Sequence, residues 1–273
     1  MDYTCISGEE LVYMWLLKSL YFQFIAQPSE LHMKIQSENY LSTQSSCYTL
    51  DIRNSTSIIR SITYGGKGIN KDKKRLVIHA ELMMRIHEFL INRLEQLGIK
   101  DYYFDNSGDG HMCLLWNKIH GWTMIDIVCS LSVFVDKMLK EYKKNYLDKW
   151  SADIEKTLVT GFGIGIHSAG SLVYHHDKIG RQFGYGSVLN SSNRVESFTK
   201  NFDNLNLLFT GNFKSFLSKQ FKMLPEKEQE RMEHYKEKII AVTSIRSDVK
   251  DSRGNGHLLY TIQKKEWKYF IKK

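Results

Sequence analysis

The sequence predicts an α+β fold, with a mostly antiparallel sheet, helices packed on it and an additional N-terminal helix. Three observations point there. Short apolar runs of strand length alternate with long amphipathic stretches, in the order β-α-α-β-β-α-β followed by more mixed structure. The chain has 273 residues, 42% hydrophobic and 12% aromatic, enough to bury one large core. Only two prolines, Pro28 and Pro225, interrupt it, and there is no internal repeat or low-complexity tract.

Residues 9–26 read as a helix that Pro28 brings to an end. Its apolar part, 11–26, is broken by Lys18 and Gln23 and is short for a membrane span, so it is expected to pack against the domain or a partner subunit. A polar connection over 29–46 leads to a buried strand at 47–52 and a helix from 55, which Asn54 or Ser55 can cap. "KGINKDKK" reads as a basic loop. Leu76, Ala80, Met83, Met84, His87, Leu90, Ile91 and Leu94 recur at helical spacing and define a helix over 76–97, closed by Gly98. A hairpin at 101–116 and a helix at 121–146 follow. Strands are expected at 157–167, in "GSLVYH" and in "GRQFGYGSVL", then a helix at 190–199, a strand at 205–209, helices at 211–222 and 225–237, and closing strands at 238–245 and 257–264. A ferredoxin-like core fits this order. The division expected is an N-terminal helical extension, 1–44, and a folded domain, 45–273.

The formal charge is +8, with lysines crowded at the C-terminus. A basic excess suits nucleic acid, a membrane surface or a small polyanion such as a nucleoside triphosphate. No basic stripe interleaved with aromatics and no nucleic-acid motif is present, which argues against a nucleic-acid polymer as partner. Cys5, Cys47, Cys113 and Cys129 are far apart and read as reduced thiols. With no signal-peptide pattern at the start, the expected location is the cytoplasm.

The hairpin "YYFDNSGDGHMCLLW", 102–116, carries Asp105 and Asp109 between two apolar arms. "GDG" is a good hairpin turn, because Gly tolerates positive φ and Asp bonds its own backbone. It is equally a rigid tip able to hold a hard divalent cation through oxygen. Asp51 either caps the following helix or projects from the sheet's end beside 105–109. The loop 52–56 would then offer backbone N–H groups at a helix N-terminus, a ready phosphate cradle. Asn190 and Arg194, four apart, share a helical face. They are either part of a surface helix with Glu196 or an amide and a guanidinium suited to a ribose oxygen and a phosphate under attack. Other candidates are weaker. "GFGIGIH" lacks dinucleotide-binding spacing, and its small residues suit the close packing of a neighbouring element. His175, His176 and Asp177 read as a surface turn. His79 and His87 stand two helical turns apart, too far to share an ion.

The ordered blocks "DIRNST", "SGDGHM", "FGIGIHSAG" and "GSVLNSSNRVES" resemble the catalytic domain of class III nucleotide cyclases, the adenylate and guanylate cyclase family, over roughly 45–263. The resemblance implies a cyclase core over 45–273 that turns a nucleoside triphosphate into a 3′,5′-cyclic nucleotide and pyrophosphate. It implies two divalent cations, Mn²⁺ or Mg²⁺, held by Asp51, Asp109 and the main-chain carbonyl of Ile52. Such ions lower the pKa of the attacking 3′-OH and steady the triphosphate. Asn190 and Arg194 match the family's transition-state pair. Asn54, Ser55 and Thr56 fall on the phosphate loop, and Lys250 matches the triphosphate-binding lysine, with Arg253 as a competitor. A homodimer with composite sites is also implied, the metal aspartates from one subunit and the Asn–Arg pair from the other.

Two positions match those that read the base, Asp105 and Phe183. Here the sequence departs from purine cyclases. A phenyl ring at 183 takes volume from the pocket and removes a hydrogen bond, which favours a smaller base. Gly186-Ser187 also replaces the family's Gly-Asp. These departures are similar to the pyrimidine cyclases of bacterial Pycsar antiphage defence, which make cyclic UMP or cyclic CMP for a separate effector protein. An acidic Asp105 suits uracil N3–H or the cytosine amino group, and equally a guanylate cyclase. A cyclase-like module without catalysis is the reading of another class.

Overall fold

A computed structural model of the chain describes residues 40–64, 69–106, 110–147, 161–176, 181–202, 205–242, 246–250 and 256–272. The chain divides into two compact units, Met1–Leu41 and Ser42–Lys273. The first, with the helix expected over 9–26, lies almost wholly outside the described residues.

Strand β1 (Tyr40–Arg53) turns at Asn54, whose φ of 61° is left-handed, into α1 (Ser55–Tyr64) and then α2 (Ile69–Gln96). Asn tolerates that conformation better than most side chains. The hairpin β2 (Tyr102–Asn106) and β3 (Gly110–Leu115) leads to α3 (His120–Asn145), β4 (Gly161–His176), β5 (Arg181–Tyr185) and α4 (Ser187–Phe198). Then come β6 (Leu207–Thr210), α5 (Gly211–Gln220), α6 (Glu226–Arg231), β7 (Ile239–Ala241), β8 (Arg246–Lys250), β9 (Gly256–His257), β10 (Leu259–Ile262) and α7 (Trp267–Phe270). Strands β2-β3-β1-β4-β6-β10-β7 lie side by side in that order, with β5 on β4, in an eight-stranded sheet; β8 and β9 form a separate ribbon. Pairs β1–β3, β2–β3, β4–β5, β6–β10 and β7–β10 are antiparallel, and β4–β6 is parallel. The mostly antiparallel α+β architecture is the one the sequence predicts.

Several local expectations are corrected. Residues 40–46 belong to β1, not to a connection. Their serines read as loop, yet Ser46 is fully buried and its Oγ lies 2.7 Å from His120 Nδ1 and 2.6 Å from Ser168 Oγ. Cross-sheet hydroxyl bonds satisfy a polar strand interior. The basic stretch from Ile69 is the first part of α2, because lysine and arginine are good helix formers. The buried row of α2 is Leu82, Ile86, Leu90 and Leu94, whereas Met84 is 61% exposed and Ala80 is exposed. Leu76, Met83 and Ile91 flank that row and pack against the core, half-buried, as their spacing predicts. Residues 161–176 are one continuous strand, and His175 and His176 remain paired with Gln182 and Arg181 in the β4–β5 ladder.

β1 separates two environments by simple alternation. Tyr48, Leu50 and Ile52 enter the main core with α2 and α3. Cys47, Thr49, Asp51 and Arg53 point to the other face, where α4 lies. Thr49 Oγ1 meets Ser192 Oγ at 2.9 Å, and the Arg53 guanidinium donates to the Thr199 carbonyl at 2.7 Å.

The glycines of β4 set how near α4 comes. A methyl group built on Gly165 would overlap the Glu196 backbone nitrogen and the Ser192 carbonyl oxygen. The expected role of "GFGIGIH", close packing of a neighbour, is what the fold uses. Gly165→Val is expected to lower unfolding free energy by about 3 kcal/mol, because the obstruction is backbone on both sides. Urea titration followed by circular dichroism checks it.

Candidate active site

Asp51 ends the β1–β3 ladder directly opposite Gly110. Asp109, next to Gly110 in the sequence, lies outside the described residues. The Asp51 side chain is 27% exposed, and its Oδ2 lies 3.1 Å from the Lys200 ammonium. Burial works against the Lys200 charge, but hydrogen bonding to Asp51 and attraction by Asp51 and Glu196 outweigh it and raise its pKa. Asp51 is thus no helix cap alone: it faces a cation.

Glu196 stands in the same place. It is 3% exposed, and its Oε1 has no hydrogen-bond partner among the described residues. Burial first, and then repulsion by Asp51, push its pKa up to about 7 against Lys200 and Arg53, which pull it down. Glu196 is therefore not a surface partner of Arg194 but lies on the opposite, buried side of α4. Ser192, Glu196 and Lys200 are spaced by four and run alongside Thr49, Asp51 and Arg53. Their four-residue spacing is visible in the sequence; their approach to β1 is not, because it depends on the close seat of α4.

The Glu196 shift predicts a pH effect. In metal-free protein its folded pKa lies above the ordinary 4.5, so the folded state holds the proton more tightly. That stabilisation is full below 4.5 and is lost as pH rises through about 7. Glu196→Gln is expected to melt higher than wild type at pH 8, by about 5 °C, and the gap should narrow toward pH 5. Thermal melts in chelator at several pH values read it.

The phosphate-loop candidates follow Asp51 at the start of α1. Ser55 is buried, with its Oγ 2.9 Å from His79 Nε2, and His79 Nδ1 lies 3.1 Å from the Tyr142 hydroxyl. His79 is thus a packing histidine that anchors α1 to α2 and α3. Thr56 is exposed and, with Asn106 and the apolar side chains of α2, lines an 880 Å³ cavity.

Asn190 and Arg194 are both exposed, one helical turn apart on α4 and directed away from the buried Glu196. They are not brought onto the Asp51 of their own chain by the stripe that carries Lys200. Asp105 is exposed near the end of β2, opposite Met112. Phe183, on β5 opposite Tyr174, is half-buried with its ring 6.2 Å from that of Tyr103. Lys250 ends β8, paired with Gly256, and Arg253 lies outside the described residues.

The donor set suits a hard cation. Asp51 offers carboxylate oxygen where the β1–β3 ladder ends and Ile52 follows it with a main-chain carbonyl, both hard donors, and the Lys200 ammonium now paired with Asp51 would have to swing away for an ion to bind. Among the described residues, no three His, Cys, Asp or Glu side chains gather to hold a metal ion. Also among them, no helix is long and apolar enough to cross a membrane. Cys47, Cys113 and Cys129 are free and buried.

This architecture is the fold of class III cyclase catalytic domains. The chain is similar to the adenylyl cyclase CyaB from P. aeruginosa, with a TM-score of 0.52 at 11% identity, covering 82% of this chain and 95% of that one. It is similar to a bacterial light-regulated adenylyl cyclase, with a TM-score of 0.51 at 14% identity over 97% of this chain. There it spans 65% of the other protein's length, just under two thirds. A rhodopsin-guanylyl cyclase catalytic core with converted specificity, in complex with ATPαS, gives a TM-score of 0.50 at 10% identity, covering 82% of this chain and 98% of that core. No protein-family model matches the chain. No curated protein matches it.

Proposed function

We propose that the chain is a nucleotide cyclase acting on a pyrimidine nucleoside triphosphate, UTP or CTP, to give the 3′,5′-cyclic nucleotide and pyrophosphate. The observation that carries this is the joining of a cyclase fold to Asp51 at the mouth of β1 and an exposed Asn190–Arg194 pair on the helix seated beside it. Divalent cations, Mn²⁺ or Mg²⁺, would supply charge that acidifies the 3′-OH and holds the triphosphate. Asp51, Asp109 and the Ile52 carbonyl would hold them. Residues 54–56 would present N–H groups to phosphate oxygens, with Lys250 adding charge. Asn190 would orient the ribose, and Arg194 would face the charge that builds on the α-phosphate. Their outward direction on α4 supports sites shared across a homodimer. Asp105 would accept a hydrogen bond from the base edge, and Phe183 would keep the pocket small. In this reading 45–273 is the catalytic domain, 1–44 an extension, and the product an antiphage signal to a separate effector in the cytoplasm.

The test incubates the purified protein with Mn²⁺ and all four ribonucleoside triphosphates in competition and identifies products by mass spectrometry. Cyclic UMP or cyclic CMP is the expected product. Cyclic GMP or cyclic AMP would keep the chemistry and refute the base assignment. Binding of triphosphate without any cyclic product would favour a non-catalytic module.

A further inference from the structure

The Lys200 ammonium lies 3.1 Å from Asp51 Oδ2, on the carboxylate proposed to hold an ion. When an ion takes that oxygen, the ammonium needs another acceptor. Glu196 is placed to provide it. Lys200 sits in a short 3₁₀ turn, Thr199–Asn201, that continues α4 past Phe198. Residues four apart along a helix stand one turn apart on one face, so the Lys200 side chain reaches Glu196. The sheet fixes where the Glu196 carboxylate stands. Strands β1 and β4 are neighbours. Ser46 of β1 meets Ser168 of β4, and Arg53 meets Gly161, so the strands run in opposite directions and Gly163 falls beside Asp51. A methyl group built on Gly163 would stand 2.6 Å from Glu196 Oε1. The Glu196 carboxylate therefore rests over the side chain that Gly163 lacks, about one strand spacing, ~5 Å, from Asp51.

Glu196 is buried, and among the described residues its Oε1 has no hydrogen-bond partner. A buried acceptor without a donor is costly, so a donor one helical turn away is a ready remedy. The turn that carries Lys200 is held at its base. Thr199 Oγ1 donates to the Glu196 carbonyl at 2.7 Å, and the Arg53 guanidinium donates to the Thr199 carbonyl at 2.7 Å. The main chain is thus fixed, while the Lys200 side chain, 53% exposed, has room to turn about its own bonds.

We propose that Glu196 is a positioning residue for metal binding: it receives the Lys200 ammonium when a divalent cation displaces it from Asp51. The inference rests on the reading of Asp51 as a metal-holding carboxylate. In the metal-free protein Lys200 neutralises Asp51. An entering cation takes the Asp51 oxygen, and Lys200 turns to Glu196 Oε1. Each charge keeps a partner, the ion with Asp51 and the ammonium with Glu196. Without Glu196 the displaced ammonium would have no acceptor on its helical face, and its pair with Asp51 would compete harder with the ion.

Mn²⁺ binding to the full chain without nucleotide, read by loss of the free-ion EPR signal, separates this inference from turnover. The titration is run at pH 8, above the Glu196 pKa of about 7. Asp51→Asn locates the site by weakening Mn²⁺ binding. Glu196→Gln keeps the side-chain volume and is expected to weaken Mn²⁺ about tenfold, whereas Lys200→Gln should tighten it about threefold. In the double variant there is no ammonium to house, so adding Glu196→Gln to Lys200→Gln should cost less than about threefold. Thermal melts in chelator identify any variant that fails to fold. Equal losses from Glu196→Gln with and without Lys200 overturn the inference, as the mark of a carboxylate that attracts or binds the ion by itself. Unchanged Mn²⁺ affinity in Glu196→Gln also overturns it. Either result leaves the cyclase reading standing. Wild-type protein that binds no Mn²⁺, or Asp51→Asn protein that binds it undiminished, overturns the metal assignment of Asp51 and this inference with it.

Discussion

Asp51→Asn is expected to reduce cyclic-nucleotide formation by about a thousandfold while leaving the fold intact, since metal-organised charge is the main source of rate in such chemistry. The substitution keeps shape and removes charge. Asp51 is partly exposed at a strand end, so no core contact is lost, and the Lys200 ammonium stays on a flexible, half-exposed side chain. Product formation by mass spectrometry and a thermal melt on the same sample check both halves. Near-normal activity would remove Asp51 from the metal assignment. A collapse of the fold would mean that its pair with Lys200 is structural.

Arg194→Ala is expected to lower kcat by about a hundred- to a thousandfold, the usual size for removing one donor aimed at developing charge. Stability should hardly change, because the side chain is exposed. The informative experiment mixes the two inactive proteins. If each site takes Asp51 from one chain and Arg194 from the other, a mixed dimer has one intact site and one doubly damaged site. Random exchange between chains should then restore about a quarter of wild-type activity. No restoration, with mixed dimers shown to form, would place Asp51 and Arg194 of one chain in the same site.

Much of the fold was legible because it follows from periodicity. The hairpin over 101–116, the helices within 76–97 and 121–146, and the glycine-bearing strand were all visible as patterns. What escaped the sequence followed from tertiary contact. Ser45 and Ser46 looked like loop because their partners, His120, Ser168 and Ala169, are far along the chain. On α2 the spacing finds Leu90 and Leu94 in the core and Leu76, Met83 and Ile91 packed against it, but not that Met84 faces out, because methionine and leucine carry the same weight in an apolar pattern. At the candidate site, Asp51, Asn190 and Arg194 stood out by place and spacing. Glu196 and Lys200 did not, since nothing local says that α4 sits close enough on Gly165 to bring them to Asp51.

The alternation along β1 has an evolutionary consequence. Tyr48, Leu50 and Ile52 answer to folding, while Thr49, Asp51 and Arg53 face α4 and the candidate site. Selection acts on the two sets separately, although they are interleaved residue by residue. A lineage can retune or abandon its chemistry through the odd-numbered positions and inherit an undamaged core through the even-numbered ones. The same alternation forbids another kind of change. A one-residue insertion before Asp51 would turn the carboxylate into the hydrophobic interior and Leu50 or Ile52 out of it, so descendants of this strand can vary by substitution but hardly by length.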